Sequence, residues 1–173
     1  MTAATSTLDR WFLIERRLYG LEKAICISSL LIMLLAVTGS VIVRNFNLPV
    51  LNPGEYGIIA MSPLTFVGAA MCSYTGTHIA VDIIALVKSE VVRRLARLAV
   101  ALAMICFATV YLWTGWHYMM DAADSGERLL DTGTPIIISL MFLPVGMAMV
   151  LAHTASEILR VASGRPAHTE ETA

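Results

Sequence analysis

Long apolar runs without a charged residue dominate the chain and alternate with short polar segments. Four such runs cover residues 24–43, 56–77, 98–118 and 135–153. A bilayer core about 30 Å thick is crossed by about 20 apolar residues of helix, and each run is close to that length. The pattern therefore predicts an all-α integral membrane protein, in which residues 1–173 form a single membrane domain with four transmembrane helices.

Basic residues are sorted between the two sides of the predicted membrane. They lie before the first run, between the second and third, and after the fourth, as Arg10, Arg16, Arg17, Lys23, Lys88, Arg93, Arg94, Arg97, Arg160 and Arg165. Only Arg44 and Arg128 fall in the other two loops. Because cytoplasmic loops carry the excess of Lys and Arg, we expect both termini on the cytoplasmic side.

Two further helices are predicted to lie along the inner membrane surface. The first is N-terminal and amphipathic, with Trp11 at headgroup level. Glu15 and Glu22 fall on its apolar face and go against the pattern, so a disordered tail is the alternative. The second is short and lies between the second and third runs, where His78 and Asp82 stand four residues apart on one face.

Composition excludes an ordinary soluble domain and offers little catalytic chemistry. Of the residues, 57% are hydrophobic and 14% charged, and the mean hydropathy is +0.73. The three cysteines, Cys26, Cys72 and Cys106, lie within apolar runs, so we expect core residues and not disulfides. No charged residue falls in the middle of a run, whereas a transporter working alone would normally place one there. We expect no enzymatic activity, no cofactor and no nucleic-acid partner.

The loop between the first two runs carries the start signal of a helix. Asn52 is expected at the N-cap, Pro53 at the first helical position and Glu55 at the third. The Glu55 carboxylate then has two interpretations, a helix cap or an ion pair with Arg44 across the hairpin. Arg44 itself could instead extend to lipid headgroups.

Prolines and small residues predict how the helices bend and pack. Pro63 and Pro144 lie mid-membrane and should kink the second and fourth helices. Ser62 and Ser139 are close enough in sequence to satisfy backbone groups that the prolines leave unpaired. Gly68 and the small residue four positions later provide a spacing suited to close approach of another helix, and so to a subunit interface.

Two polar segments have both a plain and a functional interpretation. The loop after the third run carries Asp121, Asp124, Glu127 and Asp131 against Arg128 alone, and is either solvated or a docking surface. The His78–Asp82 pair is either a solvated face or a contact with a partner subunit.

Histidines also raise the possibility of b-type haem, as in the membrane anchors of respiratory enzymes. His78 and His153 lie near the same predicted side, and His117 lies near the other. Axial ligation needs two facing histidines in a buried pocket, which disfavours this assignment. For His153 the sequence instead predicts an interfacial position near a helix C-terminus.

Several short motifs, in order, resemble the small membrane subunit of tripartite ATP-independent periplasmic (TRAP) transporters. They are residues 41–44 with Phe46, Asn47 and Pro49, then Glu55, residues 66–70, residues 76–82, residues 133–135, Pro144 and Gly146. The resemblance covers about residues 20–160.

The resemblance implies a scaffold. In that family a large permease subunit carries the sodium and substrate sites, and a periplasmic substrate-binding protein selects the substrate. It implies that this chain supports the large subunit and helps dock the binding protein for sodium-coupled uptake of an organic acid, surrounded by lipid in the bacterial inner membrane. The subunit-interface or docking candidates are Arg44, Glu55, Gly68, His78, Asp82, Asp124 and Glu127.

Overall fold

The computed structural model describes residues 2–75 and 90–162, and this part of the chain is almost entirely helical. Its helices are α1 (Thr2–Asn45), α2 (Gly54–Thr75), α3 (Glu90–Ser125), α4 (Ile137–Leu140) and α5 (Phe142–Ala162). Four stretches of the described residues are long and apolar enough to cross a membrane, namely Leu13–Asn45, Gly54–Thr75, Val91–Ser125 and Ile137–Leu159. The predicted all-α membrane fold is thereby confirmed.

One continuous helix, α1, takes the place of the predicted surface helix and first span. It runs for 44 residues, a length of about 66 Å at 1.5 Å per residue. No proline interrupts it, and Gly20 has open space around it. The N-terminal residues are therefore helical, as predicted, but they continue into the first span without a break, and their position at the membrane surface stays a prediction. The predicted short helix around His78 and Asp82 lies outside the described residues.

The fourth apolar run is broken close to its proline. The short helix α4 ends at Leu140, the residue whose carbonyl would receive the hydrogen bond that Pro144 cannot donate. α5 begins two residues later and continues through Pro144. Helix α2, in contrast, continues through Pro63 as one helix.

The long helices pack in the order α1, α2, α5, α3. α2 and α5 are central, α1 lies along α2, and α3 lies along α5. Ala70, Ala108, Met147 and Val150 form the buried core between the last three of these. The central contact is close, because a Cβ at Gly146 would lie 2.7 Å from the Phe66 backbone.

The two outer helices leave much of their apolar surface uncovered. Only 6% of the most apolar stretch of α3 is buried, against 33% in the stretch formed by α4 and α5. The exposed side chains of α1 and α3 are therefore available to lipid or to another membrane protein.

Candidate functional site

Polar contacts concentrate at the two ends of this helix layer. We call the loop end the one that holds residues 46–53 and 126–136, and the terminal end the one that holds the N-terminal part of α1 and the C-terminal parts of α2 and α5. Each end contains a carboxylate site that joins elements far apart in sequence.

At the loop end, Glu55 anchors the segment between α3 and α4. Its Oε1 accepts a hydrogen bond from the Asp131 backbone N–H at 2.9 Å. Its Oε2 accepts from the Thr132 backbone N–H at 2.8 Å and from the Thr132 hydroxyl at 2.7 Å. Because every donor is an N–H or O–H group, the contacts stabilise a carboxylate.

The anchored segment, residues 126–136, has a defined shape of its own. Gly126 and Gly133 have positive φ angles of 63° and 66°, a conformation that glycine adopts without steric cost. Within the segment, the Leu129 N–H donates to Thr134 O at 2.9 Å, and Arg128 Nη1 donates to Gly133 O at 3.0 Å. The segment thus presents Leu130, which is 97% exposed, from a fixed turn.

Helix α2 starts as the sequence predicts, but the partners of Glu55 are not the one that the ion-pair interpretation predicted. Asn52 Oδ1 accepts from the Gly54 N–H at 3.0 Å, as an N-cap side chain does. Within residues 2–75 and 90–162, Glu55 makes no ion pair with Arg44, which is exposed at the end of α1. The N–H groups at Asp131 and Thr132 occupy the carboxylate instead.

The remaining predicted site residues lie in different places. Asp124 and Glu127 are exposed at the loop end. Gly68 is half-buried and faces Cys26 of α1 within the same chain, with a Cβ built there lying 3.9 Å from Cys26 Sγ. His78 and Asp82 lie outside the described residues. A contact of any of these five with a partner subunit stays a prediction.

At the terminal end, His153 lies between two glutamates of α1. Its Nε2 is 2.8 Å from Glu22 Oε1, and its Nδ1 is 3.3 Å from Glu15 Oε1. All three side chains are buried: His153 and Glu22 have no exposed side-chain surface, and Glu15 retains 5%. His153 is therefore buried inside the protein, in contacts that the sequence did not predict, and its interfacial depth in the membrane stays a prediction.

Aromatic rings enclose this cluster and join three helices. Tyr19 of α1 stacks on Tyr74 of α2 with ring centroids 4.4 Å apart. Tyr74 in turn meets the His153 ring edge to face at 5.2 Å. Beyond them, Trp11 Nε1 donates to Ser156 Oγ at 2.8 Å, which fastens the far part of α1 to α5.

The sequence did contain a signal for this site. Glu15 and Glu22 are seven residues apart, two helical turns, and so share a face of α1. Their position on the apolar face counted against an amphipathic surface helix. Two acids on an apolar face also indicate a buried polar partner, and His153 is that partner.

A third polar contact lies between the two ends. The hydroxyl groups of Ser62 on α2 and Ser139 on α4 are hydrogen-bonded at 2.6 Å. The two serines therefore join α2 to α4. Their predicted hydrogen bonds to backbone groups near the prolines stay a prediction.

The two described histidines that were considered as haem ligands, His153 and His117, each make other contacts. Both ring nitrogens of His153 lie within reach of a carboxylate oxygen, so neither is free for iron. His117 is exposed on α3 and packs edge to face on Trp113, with centroids 4.7 Å apart. No set of three His, Cys, Asp or Glu side chains within residues 2–75 and 90–162 has the geometry of a metal site.

Fold and site together define a class, a small multi-span membrane protein whose polar contacts hold its own helices together. A family model described as "Tripartite ATP-independent periplasmic transporters, DctQ component" matches residues 33–164. The chain therefore belongs to this family, as its motifs predicted, and is a component of a TRAP transporter and not an enzyme. No curated protein matches the sequence significantly.

Proposed function

We propose that this small membrane subunit supports the large permease subunit and helps dock the periplasmic substrate-binding protein for sodium-coupled uptake of an organic acid. The family membership supports both partners in general. The runs that would cross the membrane carry no charged residue at their middle, which agrees with substrate and sodium sites on another subunit. The distribution of Lys and Arg supports an inner-membrane orientation with both termini in the cytoplasm.

The observation that carries the docking proposal is the segment anchored by Glu55. Protein surfaces that bind a partner lose less conformational entropy when they are already ordered. Here the three hydrogen bonds to Glu55 hold the turn in place, and the turn displays Leu130 beside the exposed carboxylate of Asp131. With Asp124 and Glu127 preceding it, the loop offers an apolar contact within an acidic surface.

Charge at this loop is expected to act mainly on the association rate. Its four acids and single arginine give a formal charge of −3. Opposite charge on a partner raises the association rate in a salt-dependent way. At physiological ionic strength the screening length is about 8 Å, so only a protein that approaches closely would respond.

A graded change of this charge tests docking. In the intact transporter, Asp124→Asn with Glu127→Gln, and then Asp124→Lys with Glu127→Lys, should lower uptake stepwise at limiting binding protein. Excess binding protein should restore much of the uptake, and high salt should reduce the difference between the variants. Assembly with the large subunit is the control and should stay unchanged. Uptake that does not depend on loop charge at any binding-protein concentration would refute docking here.

The exposed side of α3 is the better candidate for the contact with the large subunit. Among larger exposed side chains such as Phe107, it carries small and polar ones, namely Ala103, Cys106, Thr109 and Thr114. The exposed side of α1 is mostly aliphatic, for example Leu34 and Leu35. Interfaces between membrane helices favour small and polar residues, whereas large aliphatic residues suit lipid.

A bulky substitution on each helix tests this assignment. Ala103→Trp should reduce recovery of the large subunit in co-purification by about tenfold, the effect of roughly 1.4 kcal/mol of steric cost. Leu35→Trp, at a residue 71% exposed on α1, is the matched control and should co-purify normally. The opposite pattern would place the large subunit against α1.

A further inference from the structure

The geometry of the cluster formed by Glu15, His153 and Glu22 determines how many protons the cluster holds. Each imidazole nitrogen lies within hydrogen-bond distance of a carboxylate oxygen. A neutral imidazole has one N–H and one lone pair, and an ionised carboxylate only accepts hydrogen bonds. Both contacts can be hydrogen bonds only if His153 is doubly protonated or if one glutamate is a carboxylic acid. Either arrangement holds one proton more than a neutral histidine between two carboxylates.

Losing that additional proton would break one of the two hydrogen bonds of His153. A lone pair on the imidazole would then face a carboxylate oxygen, for instance at the 2.8 Å between Nε2 and Glu22 Oε1. Both groups are fully buried, and an unpaired polar or charged group inside a protein is costly. The second oxygen of the same carboxylate, Glu22 Oε2, is already buried with no hydrogen-bond partner within the described residues. Among the described residues, this second oxygen therefore adds no hydrogen bond that would hold Glu22 in place.

Other titratable side chains surround the cluster and must be separated from it. From α1 these are Tyr19, which stacks on Tyr74, and Cys26, which follows Glu22 by one helical turn. From α2 they are Tyr74 and Cys72, and on α5 Glu157 follows His153 by one turn. All can be substituted without removing the three central residues.

We propose that Glu15, His153 and Glu22 form a buried proton-binding clamp that holds the N-terminal part of α1 against α5. With the proton bound, both contacts close and Trp11 reaches Ser156. Release of the proton to solvent leaves an imidazole lone pair facing a carboxylate. The glutamate that loses its hydrogen bond in this way becomes hydrated only by moving away from α5. Because both glutamates lie on one rigid helix, the whole N-terminal part of α1 moves with them. The clamp is independent of the proposed docking function.

Trp11 is the natural reporter of the clamp. The chain has three tryptophans, and Trp113→Phe with Trp116→Phe leaves Trp11 alone. The full chain in lipid nanodiscs would be titrated between about pH 6 and pH 10, a range that brackets ordinary histidine and cysteine values. We expect Trp11 emission and acrylamide quenching to change along a one-proton curve, with the ratio of released to clamped molecules rising about tenfold per pH unit.

Glu22→Gln separates a proton-binding clamp from a merely structural contact. The glutamine amide can donate to the Nε2 lone pair of a neutral His153, so both contacts persist without the additional proton. The variant should therefore stay clamped through the alkaline range. Tyr19→Phe with Tyr74→Phe, and Cys26→Ala with Cys72→Ala, should leave the wild-type curve in place.

Two results would overturn the proposal. One is a Trp11 signal in the otherwise unchanged chain that is flat across the range. The other is a Glu22→Gln curve that matches the curve of the parent chain. If Glu22→Gln does not yield folded protein, Glu15→Gln makes the same comparison at Nδ1. The Trp11 titration of the chain without a glutamate substitution also tests the proposal, because a flat signal would overturn it.

Discussion

The loop end and the terminal end each use a carboxylate to join distant parts of the chain, but they use opposite chemistry. Glu55 meets only donors, the N–H groups of Asp131 and Thr132 and a hydroxyl group. His153 meets only acceptors, one from Glu15 and one from Glu22. The first site is complete with an ionised carboxylate, and the second needs an additional proton.

The two ends also differ in how far they are removed from water. The segment held by Glu55 is largely exposed, with Leu130 at its turn. The terminal cluster is buried beneath the Tyr19 and Tyr74 rings. A hydrogen-bonded carboxylate near water keeps one geometry over a wide pH range. A buried cluster of titratable groups, in contrast, changes its hydrogen bonds when its protonation changes. The comparison predicts that mutations at the terminal end have the larger effects.

Removing the shared histidine should produce the largest change. His153→Leu removes the imidazole that two buried carboxylates contact, and loss of one member of a buried charged contact costs about 3–5 kcal/mol. Thermal unfolding of the purified chain in nanodiscs would measure the loss. Thr154→Val is the neighbouring control, because the Thr154 hydroxyl donates only within its own helix, to Val150 O, and the change should cost about 1 kcal/mol or less. Equal effects of the two variants would show that the cluster adds little stability.

At the loop end, Glu55→Gln should loosen one segment and leave the helices intact. The glutamine would direct an NH2 group toward one of the backbone N–H groups at 131 and 132, so that two donors face each other. Amide hydrogen exchange at these two positions should become about tenfold faster. Asn52→Ala removes the N-cap of α2 and is the control, since it should leave both amides protected. Unchanged exchange in Glu55→Gln would mean that the segment holds its shape without the anchor.

The smallest effect is expected midway between the two ends. Ser62→Ala removes the hydroxyl that pairs with Ser139 at 2.6 Å. Hydrogen bonds between membrane helices contribute about 0.6 kcal/mol on average in double-mutant cycles. The cycle of Ser62→Ala and Ser139→Ala should return a coupling of that size. A coupling as large as the effect of His153→Leu would remove the contrast between the middle of the layer and its terminal end.

The spans could be predicted from sequence, because composition alone decides whether a helix suits the bilayer. The N-cap of α2 could be predicted as well, since Asn52 and Gly54 are two residues apart. The partners of the buried acids could not. His153 lies 131 residues beyond Glu22, and nothing local indicates which helix will lie opposite. Glu55 illustrates the same limit, because the predicted alternative, Arg44, was near in sequence and the actual donors lie 76 and 77 residues away.

The continuity of α1 was missed for a related reason. A single-sequence interpretation divides a helix where its polarity changes, and here the polarity changes near residue 23 while the backbone does not. Helix hydrogen bonds do not depend on which solvent surrounds them. Without a proline or a cap between Trp11 and Ala24, there was no physical reason for the helix to end.

The seven-residue spacing of Glu15 and Glu22 also determines how far α1 can slide along its own axis. The two acids are about 10.5 Å apart along the helix, and the imidazole of His153 lies between them, touching both. A shift of α1 by one turn, about 5.4 Å in either direction, would bring one acid closer and carry the other out of reach. The pair therefore sets an axial register: it specifies which residues of α1 lie at the level of His153, and with them the height at which Arg44 and the loop end stand at the opposite surface.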